Sequence, residues 1–144
     1  MSENSPTHLG RSATQMAPVS KGRFLTGTIM SALPVLFLLM DGVMKLMKPE
    51  FVVKATVQLG YPESVILPLG IVVLFCVILY VIPRTAVLGA IFLTGYLGGA
   101  VATHVRAGDP LFSHILFPVY FGILVWGGLY LREERLRALI SLRS

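Results

Sequence analysis

Four long apolar runs constrain this chain more than any other feature. They extend from Phe24 to about Met47, Pro62 to Ile82, Arg84 to Val105 and Pro110 to Leu131. A helix needs about 20 predominantly apolar residues to cross the hydrocarbon core of a bilayer, and each run has that length. Charged or turn-forming residues flank each of them. Transmembrane β-strands would instead alternate in polarity over segments of about ten residues, and that pattern is absent. The runs therefore predict an all-α protein, an integral membrane four-helix bundle. Composition agrees, since 55% of the 144 residues are hydrophobic and 13% are charged. A soluble domain carries about 25% charged residues, and a soluble chain this short could not hide so much apolar surface.

The segments between the runs organise the bundle. Ile82-Pro83-Arg84 and Arg106 to Pro110 are short turns. They make spans two and three one antiparallel hairpin and spans three and four another. The connection from Lys48 to Tyr61 is longer. Pro49 and Gly60 bracket it as helix-start and helix-stop residues, and Phe51, Val52, Ala55 and Leu59 recur at helical spacing. A short amphipathic helix lying on the membrane surface is expected between spans one and two. The first run is too long for a signal peptide and no clear cleavage site follows it, so it reads as an uncleaved span. Residues 1–23, rich in Ser, Thr, Pro and Gly, read as a disordered cytoplasmic tail. Residues 24–140 form the four-span domain, and residues 141–144 a C-terminal cytoplasmic tail.

Lys and Arg set the orientation. One side carries Arg11, Lys21, Arg23 and Arg84 together with Arg132, Arg135, Arg137 and Arg143. The other carries Lys48, Lys54 and Arg106, plus Lys45 near a span end. The excess places both termini in the cytoplasm. Trp126 and Tyr130 fit an interfacial anchor near the end of span four. The formal net charge of +5 belongs to this topology and to anionic lipid headgroups. No aromatic-interleaved basic patch or zinc-finger spacing points to nucleic acid. The single cysteine, Cys76, allows no intramolecular disulfide or CxxC pair.

Ionisable residues inside the spans carry the functional signal. Asp41 and Lys45 lie in span one, where an isolated charge costs about 2.5–3.5 kcal/mol. Their i, i+4 spacing puts them on one face, acid first, which is the better orientation for an ion pair. Asp41 lies about 9 Å inside the end of its span at 1.5 Å per residue. Antiparallel packing brings His104 and Arg106 of span three, and His114 of span four, to the same outer half. The cluster Asp41, Lys45, His104, Arg106 and His114 reads either as a polar pocket for a ligand or as a structural network locking the helix ends. Gly95 and Gly99, one turn apart on span three, read as a helix-packing face, within the bundle or in a dimer seam. His104 and His114 lack a recognised metal-ligand spacing, so no metal is expected. No phosphate-cradling loop, nucleophile elbow or His-Glu-x-x-His element is present, and no catalytic residues or cofactor are assigned.

Several segments together resemble the DoxX-like family of small four-helix bacterial membrane proteins. They are Asp41-Gly42-Val43-Met44-Lys45-Leu46 with Lys48-Pro49, Leu59-Gly60-Tyr61-Pro62, Pro83-Arg84-Thr85 and Leu88-Gly89-Ala90. The longest runs from Thr94 to Arg106 and continues through Pro110 to His114 and Phe117-Pro118. The resemblance covers roughly residues 24–140 and implies a four-helix bundle in the bacterial inner membrane. In the wider family some members are subunits of thiosulfate:quinone oxidoreductase and others are tied to oxidative-stress complexes. The broader fold resembles vitamin K epoxide reductase, whose paired cysteines have no counterpart here. Three readings follow: an accessory subunit binding a quinone-like or other small apolar ligand, a noncatalytic assembly protein with a protein partner or a second copy, and a small proton-coupled transporter. A stand-alone enzyme is not indicated.

Overall fold

The computed structural model describes residues 18–141. Most of the expected N-terminal tail, all but one residue of the C-terminal tail, and Arg11 and Arg143 of the charge count lie outside the described residues. The helices are α1 (Lys21–Met47), α2 (Glu50–Gln58), α3 (Ile66–Val81), α4 (Ala86–Ala107), α5 (Phe117–Arg132) and α6 (Glu134–Ile140). A 3-10 turn (Glu63–Val65) leads into α3 and a π turn (Leu111–Ile115) into α5. Four segments are long and apolar enough to cross a membrane: Lys21–Met47, Glu63–Val81, Ala86–Ala107 and Leu111–Arg132. No strand occurs among the described residues.

Local chemistry explains the boundaries. Ser20 caps α1 by accepting a hydrogen bond from the Arg23 amide, satisfying one of the free donors of the first turn. The helix therefore starts a few residues before the apolar run. It ends where Lys48 turns left-handed, at φ 50°, and Pro49 opens α2. Gly60, at φ 84°, supplies the second sharp turn and sends the chain into α3. The π turn precedes Pro118, which has no N–H for the carbonyl four residues earlier. The chain there uses i−5 bonds, from Ile115 to Pro110 and from Leu116 to Leu111, before regular α-helix resumes. The sequence reading missed α6, whose Leu136 is buried against the core.

The spanning helices form a ring in the order α1, α3, α4, α5, each packed on its two neighbours. Glycines let the backbones approach closely. A Cβ on Gly27 would lie 2.8 Å from the Gly128 carbonyl, and one on Gly128 would lie 2.3 Å from Ser31 Oγ, so α1 and α5 nearly touch. Gly42 admits Leu74 of α3, Gly70 admits the stem of Lys45, and Gly89 lies directly on the backbone of Tyr80. Without a hydrophobic drive between helices in lipid, such close packing and interhelical hydrogen bonds hold a bundle together. Tyr80 supplies the main polar tie. Its hydroxyl, fully buried, donates to the Val125 carbonyl and receives Ser31, both at 2.8 Å, linking α3, α5 and α1. Tyr80, Leu129 and Val125 are buried at this end, and Leu93 and Val73 continue the core toward the middle of the bundle. Leu36, Ile71, Phe75, Phe92 and Ile123 project outward as the lipid-facing surface.

Candidate functional site

The other end of the bundle, where α2 lies, is not filled. A cavity of about 500 Å³ opens between α1, α4 and α5 under α2. The apolar stripe of α2, with Phe51, Val52, Ala55 and Leu59, turns toward this space and roofs it. No residue of α2 is buried, so the roof is held mainly at its ends. At the far end Arg106 donates to the Leu59 carbonyl at 2.7 Å, and its guanidinium stacks 5.6 Å from the centroid of the Tyr61 ring. Tyr61 in turn donates to Thr103 Oγ1 at 2.7 Å, while Thr103 donates to the Gly99 carbonyl.

The cavity has an apolar body and a polar end. Phe37, Phe117 and Phe121 make the body. Phe37 and Phe121 stack with centroids 4.7 Å apart, and Phe117 meets both edge-on. The polar end starts on α1. Lys45 and Asp41 form a hydrogen-bonded ion pair, and both side chains are partly buried. The Tyr96 hydroxyl reaches across from α4 and donates to the other Asp41 oxygen at 3.4 Å. His104, the residue after Thr103, completes this end. Its Nδ1 lies 2.6 Å from Asp109 Oδ2. The chain brings Asp109 back to the ring because Gly108, at φ 72°, caps α4 in the left-handed conformation. Lone charges at this depth carry a large desolvation cost, and pairing Asp41 with Lys45 reduces it.

Of the five polar residues expected to converge, Asp41, Lys45 and His104 line the cavity. Arg106 and His114 do not, though each touches a residue that does. Arg106 holds Leu59. The His114 ring meets that of His104 edge-on at 5.8 Å, while its Nδ1 pairs with Ser113. Gly95 and Gly99 also line the cavity, and no atom lies within 4 Å of where their Cβ atoms would be. The close helix crossings fall at other glycines. Tyr96, Asp109 and the phenylalanine trio were not picked out by the sequence reading. A tyrosine about two turns from His104 in the same span was the available signal for the first. Among the described residues no group of three or more His, Cys, Asp or Glu is placed to hold a metal ion.

The model of the DoxX-like family matches residues 29–128. The chain belongs to the DoxX-like family. The match covers spans two and three, most of spans one and four, the α2 roof and the residues of the cavity. Family membership and four apolar helices together identify a membrane protein. Comparison with curated proteins gives no significant match, and comparison with solved structures gives none either.

Proposed function

We propose that this DoxX-like protein binds a small, largely apolar molecule in the cavity under α2 and serves as an accessory subunit in redox or stress metabolism. The observation that carries this reading is the cavity itself. Its volume, about 500 Å³, falls in the usual range for small-molecule sites, about 300–1,000 Å³. Such sites combine an apolar wall with a few convergent polar groups, as Phe37, Phe117 and Phe121 do here with Asp41, Lys45 and His104. A quinone-like ring is a natural occupant of an aromatic slot with Lys45 donors at one end. The chemistry on that ligand is done by a partner, because the cavity holds no nucleophile arranged beside a base.

The assembly reading requires a filled bundle and a glycine face offered to another helix. The open cavity, with Gly95 and Gly99 on its wall, favours ligand binding instead. The charge pattern supports an orientation with both termini in the cytoplasm and the cavity in the outer half of the bacterial inner membrane. Purification in mild detergent, followed by mass spectrometry of co-purifying lipids, quinones and proteins, tests the proposal. A stoichiometric small apolar molecule is the expected finding. Recovery of an empty monomer without any partner contradicts it.

A further inference from the structure

The cavity under α2 has a neighbour on the outside of the bundle. A groove of about 380 Å³ runs along the outer face of α4 and α5, lined by Gly98 and Val101 of α4 and by Gly122, Ile123 and Trp126 of α5. Leu97 and Pro118 line both spaces and stand between them. Two other seams of the bundle are shut by contact. Between α1 and α5, Phe37 stacks on Phe121 and meets Phe117 edge-on. Between α1 and α3, Gly42 receives Leu74 and Gly70 the stem of Lys45. At the α4–α5 seam the glycines leave space. No atom lies within 4 Å of a Cβ built on Gly98, and for Gly122 the nearest is Leu97 Cδ1, at 4.0 Å. Leu97 therefore has slack on its groove side. The groove offers no free donor. Trp126 donates to Thr94 Oγ1 at 2.8 Å, and Thr94 donates to the Ala90 carbonyl at 2.7 Å. Such a wall suits hydrocarbon.

We infer that the ligand is a bilayer-resident amphiphile, a compact ring on a hydrocarbon chain, whose ring lies among Phe37, Phe117 and Phe121 and whose chain passes Leu97 between α4 and α5 into the outer groove. In the bound state the Leu97 side chain turns aside to another rotamer, while the ring of Pro118 stays fixed. A free chain gains little by leaving lipid for an equally apolar wall. A chain tethered to a head already held in the cavity is different, because the tether raises its effective concentration at the groove. The inference rests on the cavity-binding reading and adds the place of the ligand's chain.

The test uses the full chain in lipid nanodiscs, with empty nanodiscs as the partition control. The probes are a methylated benzoquinone, the same ring carrying a decyl chain, and the decyl compound brominated at the end of its chain. Trp126 is the only tryptophan and lines the groove, so its fluorescence reports bromine at contact range. The brominated probe is expected to quench it saturably, at one probe per protein, beyond any quenching by the unbrominated compound. Gly98→Leu and Gly122→Leu fill the groove from positions outside the cavity wall. In calorimetric titrations each should weaken the decyl probe about tenfold, as overpacking of one site does, and leave the bare ring within about twofold. Both should also remove the bromine quenching. Quenching that does not saturate, as when bulk lipid fills the groove, overturns the inference while leaving the cavity reading intact. So does weakening of both probes alike, or of neither, in the two variants. Failure of every probe to bind the wild type overturns both.

Discussion

Glycines in this bundle divide into those that carry helix contacts and those that leave space, and substitution by alanine separates them. An alanine at position 89 places its Cβ 2.2 Å from the Tyr80 amide nitrogen and 2.5 Å from its Cα. Ordinary contact begins near 3.4 Å, so α3 and α4 must part by more than 1 Å at their hairpin. Overpacking costs about 1–3 kcal/mol when side chains can adjust. Here the obstructing atoms are main chain, and the residue displaced is the one whose hydroxyl joins three helices. Gly89→Ala is therefore expected to cost about 3 kcal/mol or more. Gly99→Ala meets open space. It removes the glycine disadvantage in a helix interior and stabilises by about 0.5–1 kcal/mol. Cys76 provides the assay. It is the only cysteine and is buried, so a thiol-reactive fluorogenic dye reports unfolding on heating in detergent. Gly89→Ala should unfold well below the wild type and Gly99→Ala slightly above it. A Gly89→Ala protein as stable as the wild type, or a Gly99→Ala protein as damaged as Gly89→Ala, refutes this packing account.

Three further outcomes follow from the same contacts. Tyr80→Phe removes two buried hydrogen bonds and should cost about 1–2 kcal/mol at the lower strengths typical of membrane helices; in a double-mutant cycle, Ser31→Ala should then add little. Asp41→Asn should lower stability by about 1 kcal/mol or less in the same dye assay, because Lys45 can extend toward water, yet it should abolish recovery of the co-purifying ligand. A large loss of stability with the ligand retained would make the ion pair structural. Arg106→Gln releases the Leu59 carbonyl and the stack on Tyr61, so hydrogen exchange in α2 should quicken while exchange in α3 stays unchanged.

The sequence made the helices legible because the bilayer imposes a length on each span and the turns between them are short. The roof helix was legible too, from the spacing of Phe51, Val52, Ala55 and Leu59 between Pro49 and Gly60. The polar end was only partly so. Asp41 and Lys45 share a helix face by their spacing. Arg106 was grouped with His104 by depth, but residues two apart on a helix do not face the same way, and Arg106 points to Leu59 and Tyr61 instead. Asp109 escaped notice because its approach to His104 depends on the left-handed turn at Gly108. The glycines were ambiguous for another reason. Gly95 and Gly99 have the spacing of a packing motif, but which glycine meets a neighbour within the bundle depends on the rotation of each helix, and there the close contacts fall to Gly27, Gly42, Gly70, Gly89 and Gly128. The short α6 has too few residues for its pattern to stand out.

The central claim is that the space under α2 holds a molecule. Native mass spectrometry of the protein released from mild detergent, wild type beside Gly99→Leu, tests it most directly. The leucine side chain grows into the cavity from a position with open space around its Cβ, so the fold should survive while the site is filled. The account predicts a small-molecule adduct on the wild type that is lost from Gly99→Leu at unchanged thermal stability. No adduct on the wild type, or the same adduct on both proteins, contradicts it.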